Sequence, residues 1–459
     1  MRSQGAPHRL VLLLLLSGGT ALSHGPSAGV ARAAGEPVPL RLRLTLELGG
    51  EVFGEVLDHS ERLIVLDYRG FPCAFAFDEL EVASAYQARR RLLSAAGGGA
   101  GGLTAEDHYR LGRYALSRDH PVLASREFRA ALRLDPDLDD RIRAARRRFA
   151  ERRDPTPPRS DDREPEGTAD PGRIEGLPDL AETVGRADGL EQQRATELYR
   201  RFGRLVQQHV NPDLVLLETE HFLLWTDWEP RHRDHLAALC ERMYAGVGST
   251  LGVSAEATVF PGKCPVFCFR SRGRFLAFAR TVDGWRQRNV NGYVRRASNG
   301  YVHVALFRRG TDPAALDRFA ATLVHEGTHA FVHGCGAAGN IPGWLNEGLA
   351  EYVSEVVLGE RCLAGEAASM VARQYVLRDL PIRDLLRRPG TPQPHEYPVA
   401  HSLVRFLFRR SPDAFAAFLA ECRGSPSVER ALQEHYGMTL AALEAAWQDA
   451  VRAASPATR

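Results

Sequence analysis

His325 and His329 stand four residues apart in the stretch ATLVHEGTHAFVHG, with Glu326 directly after the first histidine. On an α-helix, positions four apart are separated by about 40° around the axis and about 6 Å along it, so both imidazoles can reach one ion. Glu326 then borders the open side of that ion. In zinc-dependent hydrolysis such a glutamate takes the proton of a water that the metal has acidified to near neutrality. That chemistry needs a helix, and the flanking residues predict one. Asp312 and Pro313 read as N-cap and first helical residue, Leu316, Phe319, Ala320, Leu323, Val324 and Phe331 recur at helical spacing, and Gly334 with Gly336 can end the run.

A protein-bound zinc ion takes a third protein ligand, which a carboxylate oxygen can supply. The stretch PGWLNEGLAEYV, residues 342–353, carries Glu347 and Glu351, again four apart and therefore on one helical face. One can bind the metal while the other orients a ligand histidine. At these residues the chain resembles the gluzincin metallopeptidases, the thermolysin-like and aminopeptidase-like zinc enzymes. Their signature is HExxH followed by a second helix with a third-ligand glutamate, often within WLxEGxAxY; Trp344, Leu345, Glu347, Gly348, Ala350 and Tyr352 match it. The resemblance implies that His325, His329 and Glu347 bind Zn2+, that Glu326 is the general base, and that Glu351 supports His325 from behind. The longer pattern HExxHxxGxxH does not apply, because Val332 and Cys335 occupy its glycine and third-histidine positions. His333 lies about 12 Å along the axis from His325, too far to share an ion, and is expected to pack or cap near the helix end.

Peptide hydrolysis also needs a donor for the oxygen that becomes negative in the transition state. The stretch HEYPVAHSLVRFLF, 395–408, offers Tyr397 and His401 four apart on a predicted helix. The resemblance implies a tyrosine or histidine in this role downstream of the third ligand, and Tyr397, opening its helix, matches better than His401. Ahead of the HExxH segment, ETEHFLLWTD alternates as a strand, Glu229 to Val247 is amphipathic, and CPVFCF followed by GRFLAFA reads as strand then helix. NGYVRRASNGYVHVALF, 291–307, predicts a hairpin turning at Ser298–Gly300. In the family that the chain resembles, an edge strand aligns the substrate backbone by β-addition; Val302 to Phe307 is the candidate edge. Ala414 to Ala450 is expected to close the domain with further amphipathic helix.

The elements before this domain differ in character. Arg2, Arg9 and a short apolar core from Leu10 to Leu16 read as a secretory signal peptide over residues 1–34, cleaved near Ala33 or Ala34. Residues 38–93 alternate with tight turns at Gly49–Gly50 and around Gly70, predicting a small SH3-like or Sm-like β-barrel. After the joint GGGAGG, residues 103–152 resemble a tetratricopeptide-like helical hairpin: Leu111, Gly112, Ala124, Phe128, Ala131 and Pro136 fall at its packing positions, while His108 and Ala115 depart from its aromatic ones. Residues 153–190, charged and rich in proline, are expected to be a disordered linker, and 191–455 the catalytic domain.

The fold expected is therefore multidomain α+β: a small β-barrel, a helical hairpin, and a thermolysin-like domain with a small sheet followed mostly by helices. A formal net charge of +2 gives no reason to expect nucleic acid or an anionic membrane as partner, and no stretch after the leader is long and apolar enough to span a membrane. Seven cysteines leave at least one unpaired; Cys264 and Cys268 sit in a strand-like run and read as buried thiols or a structural bridge rather than a metal knuckle. The resemblance implies a metallopeptidase acting on a peptide or protein substrate; the leader adds export, the lack of an aminopeptidase-like motif such as GxMEN ahead of the HExxH helix favours endopeptidase action, and a protein partner stays open to the N-terminal modules. Two alternatives stand beside it: a catalytically silent peptidase-like scaffold that binds proteins, and an enzyme for a non-peptide ester or amide. Retention of the base Glu326 beside the full ligand set argues against the first.

Overall fold

The computed structural model describes residues 39–47, 49–96, 102–152, 189–254, 257–285, 290–296, 301–335, 341–424 and 427–454. The expected leader, the linker up to residue 188 and the turn at 297–300 lie outside the described residues. The architecture is mixed α+β with two small sheets, and the chain falls into two compact units divided near residue 156.

In the first unit, β1 (Arg41–Thr45), β2 (Glu51–His59), β3 (Leu63–Tyr68) and β4 (Phe71–Ala76) form an antiparallel meander in sequence order. Arg69 and Gly70, both at positive φ, make the tight turn between the last two strands. The expected barrel is not closed. Its ends are joined among the described residues only by an isolated bridge, Leu46 to Leu80, and residues assigned to it from 82 onward are helical instead. Ala85, Tyr86, Ala88 and Leu92 recur at helical rather than alternating spacing and are buried, so α1 (Val82–Ala96) covers apolar surface that a fifth strand would otherwise cover.

Three helices follow: α2 (Ala105–Ser117), capped by Thr104, α3 (Pro121–Leu134) and α4 (Asp139–Arg152). A Cβ at Gly112 would come within 2.6 Å of the Phe128 ring, which is why the first two helices can approach so closely. Sheet side and helices share one unit, joined by polar contacts. The buried Glu127 carboxylate accepts from Tyr86 Oη at 2.8 Å and meets His108 Nδ1 at 2.7 Å, and Arg118 donates to the Asp78 carbonyl at 2.7 Å.

The second unit begins with α5 (Gly189–His209) and builds a five-stranded sheet. Its strands are β5 (Val215–Glu218), β6 (Phe222–Thr226), β7 (Cys264–Phe269), β8 (Gly292–Arg296) and β9 (Val302–Phe307), in spatial order β5-β6-β7-β9-β8. The three central strands are parallel and both outer ones antiparallel to their neighbours. Parallel pairing needs crossovers, supplied by α6 (Pro230–Leu251) and α7 (Arg272–Thr281). One sheet face packs Trp225, Phe267, Phe269, Ala305 and Phe307 against Tyr199 and Phe202 of α5 and Phe275 and Phe278 of α7. The other meets α8 (Pro313–Gly334), which carries the HExxH residues. Beyond it come α9 (Gly343–Leu358), α10 (Ala364–Leu377), α11 (Arg383–Arg387), α12 (Tyr397–Arg410), α13 (Pro412–Gly424), α14 (Val428–Tyr436) and α15 (Leu440–Ala454). No helix among the described residues is long and apolar enough to cross a membrane.

Val302–Phe307 is not an edge. It is paired on both sides, with β7 and β8, and all six of its residues are buried, as expected of an apolar run covered on both faces. The edge is its hairpin partner, Gly292–Arg296, which ends in two arginines of the kind that blunt exposed strand edges. Cys264 and Cys268 form no bridge and are buried in β7, where burial pushes both upward in pKa.

Phe128 is 1% exposed in the core of the first unit, so Phe128→Ala should cost about 3–5 kcal/mol there. All five tryptophans lie at or beyond residue 225, so peptide circular dichroism reads both units and tryptophan fluorescence only the second. Urea titration of the full chain should show an earlier dichroism phase in the variant. An unmoved dichroism midpoint would remove Phe128 from the core.

Candidate metal centre

Two helices position the cluster. The α8 helix starts where Asp312 accepts from the Ala315 amide at 3.0 Å, with Pro313 preset for the first turn. From Phe319 to Val332 every residue but Ala321 is buried, so the histidines project into the interior rather than into water. The α9 helix lies against it and is itself backed by α12. Two glycines make these approaches possible. A Cβ at Gly327 would come within 2.5 Å of the Met243 side chain on α6, and one at Gly348 within 2.5 Å of the Ala400 carbonyl on α12. The second of these glycines is the one in the WLxEGxAxY stretch, so its presence there has a steric cause.

The structure brings five expected residues together. His325 Nε2 and His329 Nε2 are 3.1 Å apart, and each is 3.3 Å from the same oxygen, Oε2 of Glu347. Four-coordinate zinc with bonds of about 2.0–2.1 Å holds its ligand atoms roughly 3.3 Å from one another. The three donors therefore already form one face of a tetrahedron of the right size, and two imidazole nitrogens and one carboxylate oxygen are a donor set that zinc accepts once both rings are neutral. Behind them, Glu351 Oε1 lies 3.2 Å from His325 Nδ1, the placement that fixes a ligand imidazole with Nε2 turned to the metal. The rings of His325 and His329 stand edge-on at 83°, so their nitrogens converge without stacking.

The electrostatics follow from burial. Desolvation alone would lower the pKa of His325, but hydrogen bonds to Glu347 and Glu351 outweigh it and hold the imidazole up at about 10. For Glu347 desolvation acts upward and is overcome by His329 and His325, which keep its carboxylate well below the usual range. Glu326 behaves in the opposite way. Burial pushes its carboxyl up, the two histidines and Arg296 pull back only in part, and its Oε1 finds no hydrogen-bond partner among the described residues. A buried carboxyl raised in this manner is a stronger base than an ordinary glutamate, as a group that takes a proton and returns it requires.

The two downstream residues fare differently. His401 is fully buried, with Nε2 at 2.7 Å from a Glu355 carboxylate oxygen and Arg405 at 3.5 Å from that same oxygen, so it is turned to a separate ion-pair network. Tyr397 is buried at the first position of α12. Sequence spacing does not single out Arg296: burial lowers the pKa of its guanidinium, and the nearby charges of Glu347 and Glu326 offset that only in part. Nothing in its spacing from the motif marks it; only the hairpin register does.

No known family model matches the chain, and no curated protein is significantly similar to it.

Metal binding requires neutral imidazole. Because His325 is held protonated up to about pH 10 in the metal-free protein, zinc uptake at pH 7 should release about one proton from this site and weaken as pH falls. Calorimetric titration in buffers of different ionisation enthalpy reads that proton directly. Glu347→Ala should abolish stoichiometric zinc, whereas Glu351→Ala should retain a site weakened about 10- to 100-fold. Equal affinity in wild type and Glu351→Ala would mean that this carboxylate does not orient His325.

Proposed function

We propose that the chain is an exported zinc metallopeptidase of gluzincin type that hydrolyses peptide bonds, most simply as an endopeptidase. The observation that carries this reading is the Nε2, Nε2, Oε2 triangle with sides of 3.1–3.3 Å, with Glu326 buried on the same helix beside it. His325, His329 and Glu347 would hold the zinc. When bound, the ion supplies Lewis acidity to a water molecule and to the scissile carbonyl.

The protein's own groups do the rest. Glu326 takes the proton of the attacking water and passes it to the nitrogen of the leaving amine; its raised pKa suits it to both directions of transfer. Glu351 keeps His325 in one tautomer and one orientation. Because Glu355 engages His401, Tyr397 is the stronger of the two candidates for the downstream transition-state donor. A peptide or protein substrate would add as a strand along Gly292–Arg296, whose outer edge is unpaired among the described residues; backbone pairing there gives affinity without demanding a particular sequence. The open four-stranded sheet and the tetratricopeptide-like helices of the first unit would serve a protein partner, and residues 1–34 would direct export.

Glu326→Gln keeps the size of the side chain and removes the base. It should retain one zinc per chain, measured by elemental analysis, and lose about 10²- to 10⁴-fold in cleavage of a broad peptide library. Wild-type protein that binds zinc and cleaves no peptide would favour the silent, protein-binding scaffold. Undiminished cleavage by the glutamine variant would end the assignment of Glu326 as base.

A further inference from the structure

Strand β8 places two adjacent arginines on opposite faces of the sheet. Side chains alternate along a strand, so Arg296 shares its face with Gly292 and Val294, while Arg295 points the other way. The direction of each face is fixed by contacts. A Cβ at Gly292 would come within 3.0 Å of Thr322 Cγ2, so that face looks onto the HExxH helix. Arg295 lies on the far side, its Nε 3.8 Å from Asp283, a residue that also bonds His303 on the same face of β9.

The register carries the argument further. Gly292 pairs with Leu306 and Arg296 with Val302, so Arg296 lies about 13 Å along the strand from the point of contact with Thr322. Thr322 and Glu326 are one helical turn apart on the same helix face. Arg296 is half-buried, and it makes no hydrogen bond or ion pair with a described residue, although Glu347 and Glu326 are close enough to act on its charge. A guanidinium held beside two carboxylates without being bound by either is a donor kept for something else. It is also carried by the strand along which substrate would lie.

We infer that Arg296 is a catalytic residue that donates N–H groups from the edge strand to the carbonyl oxygen of the scissile peptide as that oxygen becomes negative. The inference rests on the peptidase reading above. When the water oxygen bonds the carbonyl carbon, its proton goes to Glu326 and the C=O π pair moves to oxygen, where Arg296 meets the new charge. When that pair returns, the C–N bond breaks and the amine nitrogen receives the proton from Glu326. No net charge or electron is left over. A guanidinium suits the role because it stays charged at any working pH and offers several donors in a fixed fork.

The test compares Arg296→Ala and Arg296→Lys with wild type as zinc-loaded, full-length protein, on a peptide selected from the library. Loss of one such donor should lower kcat of the alanine variant about 10²- to 10³-fold with KM little changed and zinc content intact. Lysine should restore part of the rate, and added guanidinium ion should rescue the alanine variant. Independently of turnover, calorimetry with methylphosphonate, a small tetrahedral oxyanion, should show affinity falling about 10- to 100-fold in Arg296→Ala. A rise in KM at constant kcat, or unchanged kcat and methylphosphonate affinity, would overturn the assignment while leaving the peptidase reading intact. If wild type cleaves nothing yet methylphosphonate binding still depends on Arg296, the peptidase reading fails and the anion site remains.

Discussion

Glu347 places a carboxylate in the interior of the second unit with none of its surface exposed, and the rest of that unit is arranged around this placement. An isolated buried carboxylate costs several kcal/mol, so its neighbours must return that energy through charge and hydrogen bonds. Two imidazoles touch one of its oxygens, and Arg296 adds a longer-range positive field. Glu326 and Glu351, both buried, crowd further negative charge into the same volume. Three carboxylates facing two imidazoles and one guanidinium form a site whose balance improves when a divalent cation enters, because the cation converts mutual repulsion into shared attraction. The same balance explains why Glu326 and Glu347 shift in opposite directions: Glu347 is in contact with both histidines, whereas Glu326 meets their charge only at longer range and feels mainly its burial.

Such a cluster is only as precise as the helices that carry it. The α8 helix is pinned at its start by Asp312 and Pro313 and along its length by the sheet on one side and α6 on another. The absence of a side chain at Gly327 removes the obstacle on the α6 side, and Gly348 does the same where α9 meets α12. At Gly348 an added Cβ would meet the Ala400 backbone, which cannot give way, and would push the Glu347 helix off α12; at Gly327 it would meet the flexible end of Met243, which can turn aside. Functional side chains need placement to within about half an ångström, so Gly348 bears on the position of Glu347 from a distance.

Much of this was legible in the sequence because it is local. The HExxH helix announces itself by its cap, its apolar spacing and its histidines at i and i+4, and the structure places that helix at Pro313–Gly334 as the cap predicts. The stretch Trp344–Tyr352 likewise reads as a helix and is one. What misled was information stored in pairing between distant segments. Val302–Phe307 and a true edge strand have similar local composition, and only the parallel partner β7, more than thirty residues earlier, decides that it is interior. The barrel failed for a related reason: alternation over residues 38–76 specifies strands but not closure, and the helical spacing from Val82 onward was absorbed into the same module. His401 shows the limit at the site itself, since spacing put it on a suitable helix face but could not show that Glu355 would occupy its Nε2.

Adjacent arginines at the end of β8 show how a sheet sorts charge that the sequence leaves mixed. Arg295 joins a polar group on the far face, where His303 Nδ1 meets Tyr301 Oη at 2.6 Å and its Nε2 meets Asp283 at 3.0 Å. Tyr301 and His303 are buried and the Asp283 side chain nearly so, while Arg295 reaches them from the surface, so the group ties the hairpin together on the face away from the HExxH helix. Arg296, one residue later, is turned by the pleat toward Glu326 and Glu347 and has no equivalent partner among the described residues. A shift of the hairpin register by one residue would exchange the two side chains, turning Arg296 toward Asp283 and away from Glu326 and Glu347. The aromatic packing of Tyr293, Phe275 and Phe307 on the far face opposes that shift, because the same slip would carry Tyr293 out of the core. The hydrophobic face of the sheet thus sets the position of a charge on its other face.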